Sequence, residues 1–444
     1  MKRLTGHPVE RVAVIGLDCA APQLVFHRFA GELPVLQGLL AAGVWGELES
    51  VDPPITVPAW ACAMTGCDPG QLGIYGFRKR IDHGYGEPGL VDSTDVRRPA
   101  VWDTLSRAKR QVIVLGVPPS YPPRRVAGCM VGCQLTPSTS RRYTYPADLA
   151  GEITRVVGDY AVDVADFRRR DRGRLIGEIC DMTKRRFRLF RHLLKTRPWA
   201  FAMMVEIGLD RMHHGFWSCF DEGHPRFVPG HPHGNAILDY YRLVDREIGE
   251  VLQQLDDDTA VMVLSDHGAQ ALQGGFCISS WLRRHGYLKL RAEQIDWRQT
   301  RAWAEGGYCA RVYLNVRGRE PEGIVDPAEA PALCAQLSAE LSKEPDEQGR
   351  ALPWQIFRPA DRYREVRGIP PDLIVYIGDL RFRAVGSMGH GALWIAGNDT
   401  GPDEANHAMQ GIFILRCPGL AERGQLTGLR LIDCGPTILR LLGH

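Results

Sequence analysis

Several features that assign a chain to membranes, secretion or nucleic-acid binding are lacking in this sequence. No stretch among the 444 residues approaches the run of about 18 apolar residues that a membrane-spanning helix needs. The first residues, MKRLTGHPVERVAVIG, contain no long apolar segment and do not resemble a secretory signal. The formal net charge is only +2, which argues against the concentrated basic surface of a protein that binds nucleic-acid polymers. We therefore predict a cytoplasmic protein without a membrane span.

The cysteines do not form a pattern that indicates disulfides or a zinc finger. The twelve of them are scattered, mostly within apolar segments, and the pair Cys129 and Cys133 has no second pair at zinc-finger spacing. In a long chain without a signal sequence, reduced thiols in the core are favoured over disulfides. Apolar residues make up 44% of the chain and charged residues 24%, which is ordinary for a globular protein.

Short apolar segments alternate with helix-like segments along most of the chain. The strand-like segments are 12–17, 112–117, 201–205, 260–264, 373–377 and 412–415. The segments predicted as helices are 33–43, 101–109, 236–255 and 434–443. Continuous apolar strands that alternate with helices are typical of a parallel sheet buried on both faces. The sequence predicts an α/β fold with a mostly parallel central sheet, helices on both faces and an inserted cap subdomain.

Two segments interrupt this alternation within a predicted single domain of residues 1–444. Residues 140–198 are rich in arginine and are predicted as a helical insertion, with helical spacing of apolar residues over 173–195. Its cluster Arg185, Arg186, Arg188 and Arg191 could contact phosphate or an anionic membrane, but a solvated helix face is the favoured interpretation. Residues 276–385 have mixed character, with a strand at 311–316 and a helix at 327–343, and are predicted as the cap subdomain.

Acidic and imidazole side chains follow three of the predicted strands. Asp18 comes directly after the first strand, Asp210 follows FAMMVEIGL, and Asp266-His267 follow AVMVLS. In open α/β sheets, ligands bind in the crevice at the carboxyl ends of the strands. Asp210 and His214 are spaced i, i+4, so both could reach one metal from the same face of a helix. The alternative is a helix N-cap aspartate with a buried structural histidine nearby.

The candidate ligands together number three aspartates and three histidines. His407 precedes the strand 412–415, and Gly268 after Asp266-His267 lets the backbone approach a ligand closely. Each of these residues has an ordinary structural explanation when it is considered alone. Oxygen and nitrogen ligands in this number suit two divalent metals. We therefore predict a two-metal hydrolytic site.

Thr56 is the candidate nucleophile. It lies in PPITVPAWACAMTG, where a helix is predicted to begin at Pro58. The N-terminus of a helix favours negative charge, and a metal-bound alcohol can ionise near neutral pH and attack phosphorus. An ordinary threonine N-cap is the alternative.

These motifs together resemble the alkaline phosphatase superfamily, in particular its type I phosphodiesterase/nucleotide pyrophosphatase branch. The matching segments are GLD at 16–18, TVPAW…MTG at 56–66, LDRMHHGFW at 209–217, SDHG at 265–268 and NHAMQGIFI at 406–414, and the ending LIDCGPTILRLLG resembles the terminal helix of that family. Departures such as Cys19 after Asp18, where glycine is common, leave the nucleotide specificity open.

The resemblance implies a role for each candidate residue. One metal would be held by Asp210, His214 and His407, and the other by Asp18, Asp266 and His267. Thr56, which is also expected among the metal ligands, would bridge toward the phosphorus, attack it in line and form a phospho-threonine that water hydrolyses. Zinc is the expected metal, and manganese or iron would also suit these ligands.

The substrate is predicted only as a class. A small phosphate ester or diester is expected, with Trp60, Phe77, His213 and Trp217 as candidate contacts, although core packing is the favoured interpretation of the aromatic residues among them. The basic cluster nearest to Thr56 in the sequence is Arg78-Lys79-Arg80, which is interpreted as a solvated loop. Because no lysine or arginine lies beside Thr56 to neutralise the second charge of a monoester, a diester or phosphonate is favoured. A phosphomonoesterase, a phosphomutase and a metal-binding scaffold without catalysis stay open as alternatives, as does a homodimer.

Overall fold

The described part of the chain forms two large sheets and three two-stranded ones, with a layer of helices on each face of the largest. The computed structural model describes residues 8–168, 171–420 and 422–444, so the first seven residues of the segment tested for a secretory signal lie outside the described part. Its strands, in chain order, are β1 (Val12–Leu17), β2 (Val44–Glu49), β3 (Arg78–Lys79), β4 (Gly89–Leu90), β5 (Val112–Leu115), β6 (Gly128–Val131), β7 (Thr144–Tyr145), β8 (Phe201–Glu206), β9 (Ala260–Leu264), β10 (Gly268–Ala271), β11 (Gly274–Cys277), β12 (Leu290–Arg291), β13 (Gln294–Ile295), β14 (Ala302–Glu305), β15 (Ala310–Leu314), β16 (Trp354–Phe357), β17 (Leu373–Ile377), β18 (Phe382–Val385), β19 (Trp394–Ile395), β20 (Ala405–Ala408), β21 (Gln410–Arg416), β22 (Gly424–Gln425) and β23 (Leu429–Arg430).

The α-helices connect these strands and end close to the predicted positions. In chain order they are α1 (Pro34–Ala42), α2 (Thr56–Thr65), α3 (Pro69–Leu72), α4 (Val101–Arg107), α5 (Leu149–Val157), α6 (Arg172–Thr196), α7 (Gly208–Phe216), α8 (Ala236–Leu252), α9 (Ile278–Arg284), α10 (Ala330–Leu341), α11 (Pro359–Arg362) and α12 (Cys434–Leu441). None of the helices in the described ranges is long and apolar enough to cross a lipid bilayer.

The central sheet has the strand order β22-β2-β21-β9-β1-β8-β5-β6-β7, with β23 also paired to β2. The inner pairs β9-β1, β1-β8, β8-β5 and β5-β6 are parallel, whereas β21 runs antiparallel to both of its neighbours. The α/β class and the mostly parallel sheet are therefore confirmed. The apolar segment 373–377, which lies within the predicted cap region 276–385, forms β17 of the second sheet, because a short apolar run is compatible with any buried strand.

Helices cover both faces of the central sheet, as the continuous apolar strands predict. Ala13 and Ile15 of β1 belong to one core, packed beneath α1, α5, α6, α7 and α8. Val12 and Val14 point to the opposite core, beneath α2, α4 and α12. This alternation follows from the period of two along a strand.

Helix α6 differs from the expected solvated arginine face at one position. Arg186 is only 2% exposed. Its guanidinium donates hydrogen bonds to the backbone carbonyls of Val205 and Val162, 3.1 and 2.7 Å away. These bonds partner both Nη atoms, while Nε makes no hydrogen bond, so Arg186 connects α6 to the central sheet instead of facing solvent.

A second sheet lies between β10 and β20 in the sequence. It has the order β14-β15-β17-β18-β11-β19, with β16 paired to β17, and it packs with α9 and α10 around a core of its own that includes Trp281 and Leu337. A smaller cluster that contains Ile55, Tyr75 and Tyr376 joins it to the main body. The strands β10 and β20 pair antiparallel, with Ala269 opposite His407. The chain enters the second sheet after β10 and comes back to the central sheet after β20.

Candidate metal centre

The candidate ligands converge at the carboxyl ends of β1, β8 and β9. Asp18 directly follows β1, and Asp266-His267 follow β9 after one residue. Asp210 and His214 lie on α7, which begins two residues after β8. His407 is on β20 and reaches the same place because β20 pairs with β10, which begins next to His267. The strand pairing therefore brings together residues that are up to 389 positions apart in the sequence (18 and 407).

One group contains Asp210, His214 and His407. Their ligand atoms lie within 4.8 Å of one another. The Asp210 Oδ1 atom is 3.1 Å from His214 Nε2 and 3.5 Å from His407 Nε2. The i, i+4 spacing on α7 thus places Asp210 and His214 on one face, as the sequence predicts.

The second group is adjacent and contains Asp18, Asp266 and His267. His267 Nε2 is 3.1 Å from Asp266 Oδ2 and 3.9 Å from Asp18 Oδ1. Asp18 and His267 also lie within 4.8 Å of Asp210, so the two groups share one buried space. The rings of His267 and His407 stack at 3.7 Å between centroids.

The unpaired atoms of this cluster are suited to a cation. Among the residues that the structure describes, five buried atoms of the cluster make no hydrogen bond: Asp18 Oδ1, Asp210 Oδ1, Asp266 Oδ2, His214 Nε2 and His407 Nε2. Buried polar atoms without partners are costly, and this many in one place indicates that something absent from the protein satisfies them. Oxygen and imidazole nitrogen are the atoms that zinc and similar divalent metals bind.

The three histidines are oriented by acceptors at Nδ1. His214 Nδ1 donates to Asp403 Oδ1 at 2.7 Å, and His407 Nδ1 donates to the Pro54 carbonyl at 2.7 Å. His267 Nδ1 lies 3.1 Å from the carbonyl oxygen of Gly268. With the proton on Nδ1, the lone pair of Nε2 points into the cluster, which is the arrangement of a metal-ligating histidine.

Each aspartate has one oxygen held by the protein and the other directed into the cluster. The Trp60 indole N–H donates to Asp18 Oδ2 at 2.9 Å, and the Cys19 amide donates to Asp266 Oδ1 at 3.2 Å. Arg211 donates to Asp210 Oδ2 at 2.5 Å. These contacts fix the carboxylates without occupying the oxygens that would face a metal.

Burial sets the protonation of the carboxylates. It raises the pKa of Asp18 well above its usual range, and repulsion by Asp210 adds to this effect. The pKa of Asp266 is raised in the same way by burial and by Asp18. Burial also opposes ionisation of Asp210, but attraction by His214 and Arg211 is stronger, so its pKa lies well below the usual range. Three acids crowded together need positive charge to ionise fully.

The histidines differ in a similar way. Burial lowers the pKa of His407 to about 4, and burial and the nearby His407 keep the pKa of His267 well below its usual range. Burial also disfavours the charged form of His214, but Asp403 and Asp210 outweigh it and raise the pKa. His267 and His407 are therefore neutral near pH 7, which is the form that binds metals.

Thr56 lies beside the second group. It is the first residue of α2, follows the N-cap residue Ile55, and is only 2% exposed. Its Oγ1 atom is 3.3 Å from His267 Nε2. Because Ile55 occupies the cap position and the helix has no side-chain cap hydrogen bond, the N-cap interpretation of Thr56 is wrong. Its hydroxyl is directed at the metal-ligand cluster.

The four aromatic candidates for substrate contact are placed differently from one another. Trp60 is fully buried against Asp18, and His213 is fully buried between Trp217 and Tyr241. Trp217 is 3% exposed and donates its N–H to Asp221 at 2.7 Å. Phe77 is half-buried. Of the four, Phe77 alone leaves a substantial ring surface accessible in this structure.

Several residues at the site carried no signal in the sequence. The Tyr308 ring stacks on His407 at 3.6 Å, and the Arg383 guanidinium lies 4.1 Å from the centre of the same ring. Arg383 also pairs with Asp403 at 2.7 Å. Burial opposes ionisation of Asp403, but Arg383 and His214 lower its pKa, so it carries a negative charge beside His214.

A family match agrees with this geometry. The model of the type I phosphodiesterase / nucleotide pyrophosphatase family matches residues 12–409. The chain belongs to this family. It is therefore a hydrolase that acts on phosphoric esters, and its described residues include a cluster of possible metal ligands. A sequence comparison with functionally curated proteins found no match.

Solved structures with the same fold are distant in sequence. The phosphonoacetate hydrolase of Sinorhizobium meliloti 1021, in complex with phosphonoacetate, is 16% identical with a TM-score of 0.63, and the alignment covers 98% of this chain and 96% of that one. Human ectonucleotide pyrophosphatase / phosphodiesterase 5 is 13% identical with a TM-score of 0.58, covering 98% and 95%. At these identities the likeness establishes the alkaline-phosphatase-like fold.

Proposed function

We propose that this family member is a two-metal phosphodiesterase that acts through a phospho-threonine at Thr56. The observation that supports this most strongly is the group of five buried ligand atoms without hydrogen-bond partners, beside a hydroxyl at the start of a helix. One metal would be held by Asp210, His214 and His407, and the other by Asp18, Asp266 and His267. Zinc is the proposed ion for both positions, because aspartate and histidine ligands suit it.

The bound metals would lower the pKa of the Thr56 hydroxyl and neutralise charge on the phosphoryl oxygens. Thr56 Oγ1 forms the new bond to phosphorus, the alcohol of the ester leaves, and water then hydrolyses the phospho-threonine. Burial of Thr56 excludes bulk water from the attacking oxygen. The start of α2 adds the favourable electrostatic field of a helix N-terminus.

A diester is the proposed substrate because the basic side chains at the cluster are already engaged. Arg211 contacts Asp210 and makes two further bonds to Asp163, at 3.0 and 2.7 Å. Arg383 pairs with Asp403. A diester phosphate carries one negative charge and a monoester two, so the second charge of a monoester would lack a free cation. Phe77, half-buried and 6.4 Å from the Tyr308 ring, is the proposed contact for an apolar or aromatic leaving group.

Turnover of bis(p-nitrophenyl) phosphate, compared with p-nitrophenyl phosphate, tests the proposal. We expect the diester to be the better substrate and Thr56→Ala to lower its kcat/KM by about 10³-fold or more. Thr65→Ala is the matched control, because Thr65 ends the same helix and its hydroxyl donates to the Ala61 carbonyl and accepts from the Cys67 amide. Retention of activity in Thr56→Ala would overturn the nucleophile assignment, and a clear preference for the monoester would overturn the diester assignment.

Metal identity, location and assembly are separate proposals with their own measurements. Elemental analysis of the purified chain should give two zinc ions per chain, and one ion or another metal would correct that number or identity. The cytoplasmic location and the homodimer stay predictions, which fractionation and light scattering test directly.

A further inference from the structure

A second concave site lies away from the metal ligands. It is a cavity of about 330 Å³ between the segment that follows α3 and the second sheet. Arg78, Lys79 and Arg80 line it from β3 and the residue after it, Arg97 and Arg98 from the loop before α4, and Arg311 from β15. Arg367 completes the rim, and Asp95 is the one carboxylate among the lining residues. We call this cavity the basic pocket.

Positive charge remains in excess after every carboxylate partner is counted. Lys79 contacts Asp95, and Arg80 pairs with Glu320 at 3.2 Å. Arg311 pairs with Glu305 at 3.1 Å, and Arg98 and Arg367 share Glu365.

Seven basic side chains thus meet four carboxylates. Within the described part of the chain, Arg78 and Arg97 have no carboxylate partner. Both are exposed at the rim of the pocket, so their guanidinium groups are available to a ligand.

The pocket is built into the fold and is not a solvated loop, which is what the sequence suggested for Arg78-Lys79-Arg80. The Arg80 side chain is only 6% exposed and lies over the rings of Trp303 and Tyr313, 5.2 and 5.1 Å from their centres. Its partner Glu320 is fully buried. Holding an arginine between aromatic rings and a buried carboxylate fixes its position and leaves little freedom to move away from a ligand.

Arg311 occupies space that a side chain at position 76 would otherwise fill. A Cβ atom added to Gly76 would come within 2.4 Å of Arg311 Nη1. The Arg311 side chain is 12% exposed and is also held by Glu305. The glycine therefore lets this guanidinium reach the floor of the pocket from the second sheet, so both parts of the molecule contribute charge to one cavity.

The pocket is separate from the metal cluster but connected to it through two ring contacts. Phe77 follows Gly76 directly, and its ring is 6.4 Å from Tyr308. Tyr308 in turn stacks on the ligand His407. None of the residues that line the pocket is one of the six candidate metal ligands or Thr56.

We propose that the basic pocket is a second binding site that takes the phosphate group of a phosphorylated small molecule. Guanidinium groups recognise multiply charged oxyanions through paired hydrogen bonds, and excess positive charge disfavours neutral ligands. The volume is at the lower end of the range of about 300–1,000 Å³ that small-molecule sites occupy. The phosphate could belong to the distal end of the substrate, in which case this site rests on the proposed function, or to a separate molecule that regulates the enzyme.

Calorimetric titration of the metal-loaded enzyme with sodium sulfate at low ionic strength tests the site without depending on catalysis. We expect saturable binding that is at least about fivefold weaker in the double variant Arg78→Gln/Arg97→Gln, since each loses a charged donor. Arg298→Gln is the matched control, because Arg298 is exposed and pairs with Glu322 outside the pocket. Asp210→Asn, which disturbs the metal cluster, should leave sulfate binding unchanged.

Two results would overturn the pocket assignment. One is sulfate binding that is equal in the wild type and in Arg78→Gln/Arg97→Gln. The other is binding that disappears in Asp210→Asn, because the sulfate would then lie at the metals. Failure of Thr56→Ala to lose activity would overturn the proposed function and leave these binding results standing, so the two proposals fail separately.

Kinetics then distinguish the two sources of the phosphate. For a regulatory molecule, sulfate changes the turnover of bis(p-nitrophenyl) phosphate by the wild type and not by the double variant. For a substrate phosphate, sulfate leaves that turnover unchanged but competes with a diester that carries a second, terminal phosphate, and the double variant raises the KM of that diester severalfold. Equal inhibition of the wild type and the double variant with bis(p-nitrophenyl) phosphate contradicts both.

Discussion

The edge of the central sheet and the second sheet contribute differently to the site. The central sheet and the segments that follow its strands supply five of the six candidate ligands and Thr56, all of them nearly or fully buried. The second sheet and its connections supply Tyr308, which stacks on His407, Arg383, which contacts Tyr308 and Asp403, and Arg311, which lines the basic pocket. Those five candidate ligands thus follow parallel strands with two covered faces, whereas Tyr308, Arg383 and Arg311 come from a part with its own core. We expect variants of the two parts to differ in their effects on metal binding and on substrate binding.

Removing the metals should lower activity more than any other change. This treatment tests the candidate ligands that the central sheet supplies. Loss of several kcal/mol of charge stabilisation predicts that dialysis against a chelator lowers kcat/KM for the diester by about 10³-fold or more. Adding zinc back should restore activity. The melting temperature should also fall, because the buried acids lose their counter-charge. Full activity in protein shown by elemental analysis to be metal-free would contradict a metal-dependent mechanism.

The next largest effect should come from Asp403, which orients His214 from the far side. Asp403→Asn removes the negative charge that accepts the hydrogen bond from His214 Nδ1–H. It also removes the ion pair between Asp403 and Arg383. Loss of such a partner of a metal-ligating histidine predicts metal binding weaker by about 10–100-fold. Competition with a chromophoric chelator measures it. Asp399→Asn is the control, because Asp399 accepts hydrogen bonds from Gly386 and Ser387 only; an equal loss there would point to general damage.

A smaller effect is expected where the second sheet touches the cluster. Tyr308 lies 6.4 Å from the ring of Phe77, the proposed substrate contact, so we expect it to form part of the same substrate wall. Tyr308→Leu would then remove an aromatic contact of about 0.5–1.5 kcal/mol, which predicts a change of about two- to tenfold in the KM for an aromatic diester. Tyr308→Phe keeps the ring and should behave like the wild type. Metal content should be unchanged in both variants. If Tyr308→Leu loses metal instead, then Tyr308 supports His407 and does not form part of the substrate wall.

The smallest effect on chemistry should follow damage to the core of the second sheet. Leu337 is fully buried there, so Leu337→Ala should cost about 2–5 kcal/mol of unfolding free energy. Below the melting temperature, metal content and kcat should stay within about twofold of the wild type, since the ligands belong mainly to the other sheet. Leu90→Ala, at a 58% exposed position, is the control for the urea titration. A loss of bound metal at low temperature would show that the two parts are not separable.

The sequence predicted the parallel core because its strands are continuous apolar runs with acids at their ends. Asp18, Asp210 and Asp266 could be found in this way, since strand ends of one direction meet at one edge. The helices α1, α4, α8 and α12 begin within one residue of their predicted starts. The helical insertion and the cap boundaries stay predictions, although the second sheet extends from Gly274 to Ile395.

The features that sequence patterns did not reveal depend on contacts between distant segments. Asp403 meets His214 only because the chain returns past α7 before β20, and nothing in its neighbours signals an acceptor for a histidine. Tyr308 reaches His407 from a loop between two strands of the second sheet. The sequence pattern assigns Arg186 to a polar helix face, but the side chain donates to the carbonyls of Val205 and Val162. Local periodicity carries no information about such partners.

Strands β10 and β20 pair antiparallel, and the second sheet is formed by the chain between them. The two ends of this long inserted segment therefore lie side by side. The first residue of β10 follows His267, and β20 carries His407. The distance between the two imidazoles therefore depends on the register of Ala269 with His407 and not on the residues between the two strands. Relatives could lengthen, shorten or replace the intervening residues and keep their ions in place. Such a chain can vary the segment between β10 and β20, and with it the substrate, while this strand pair holds both histidines in position.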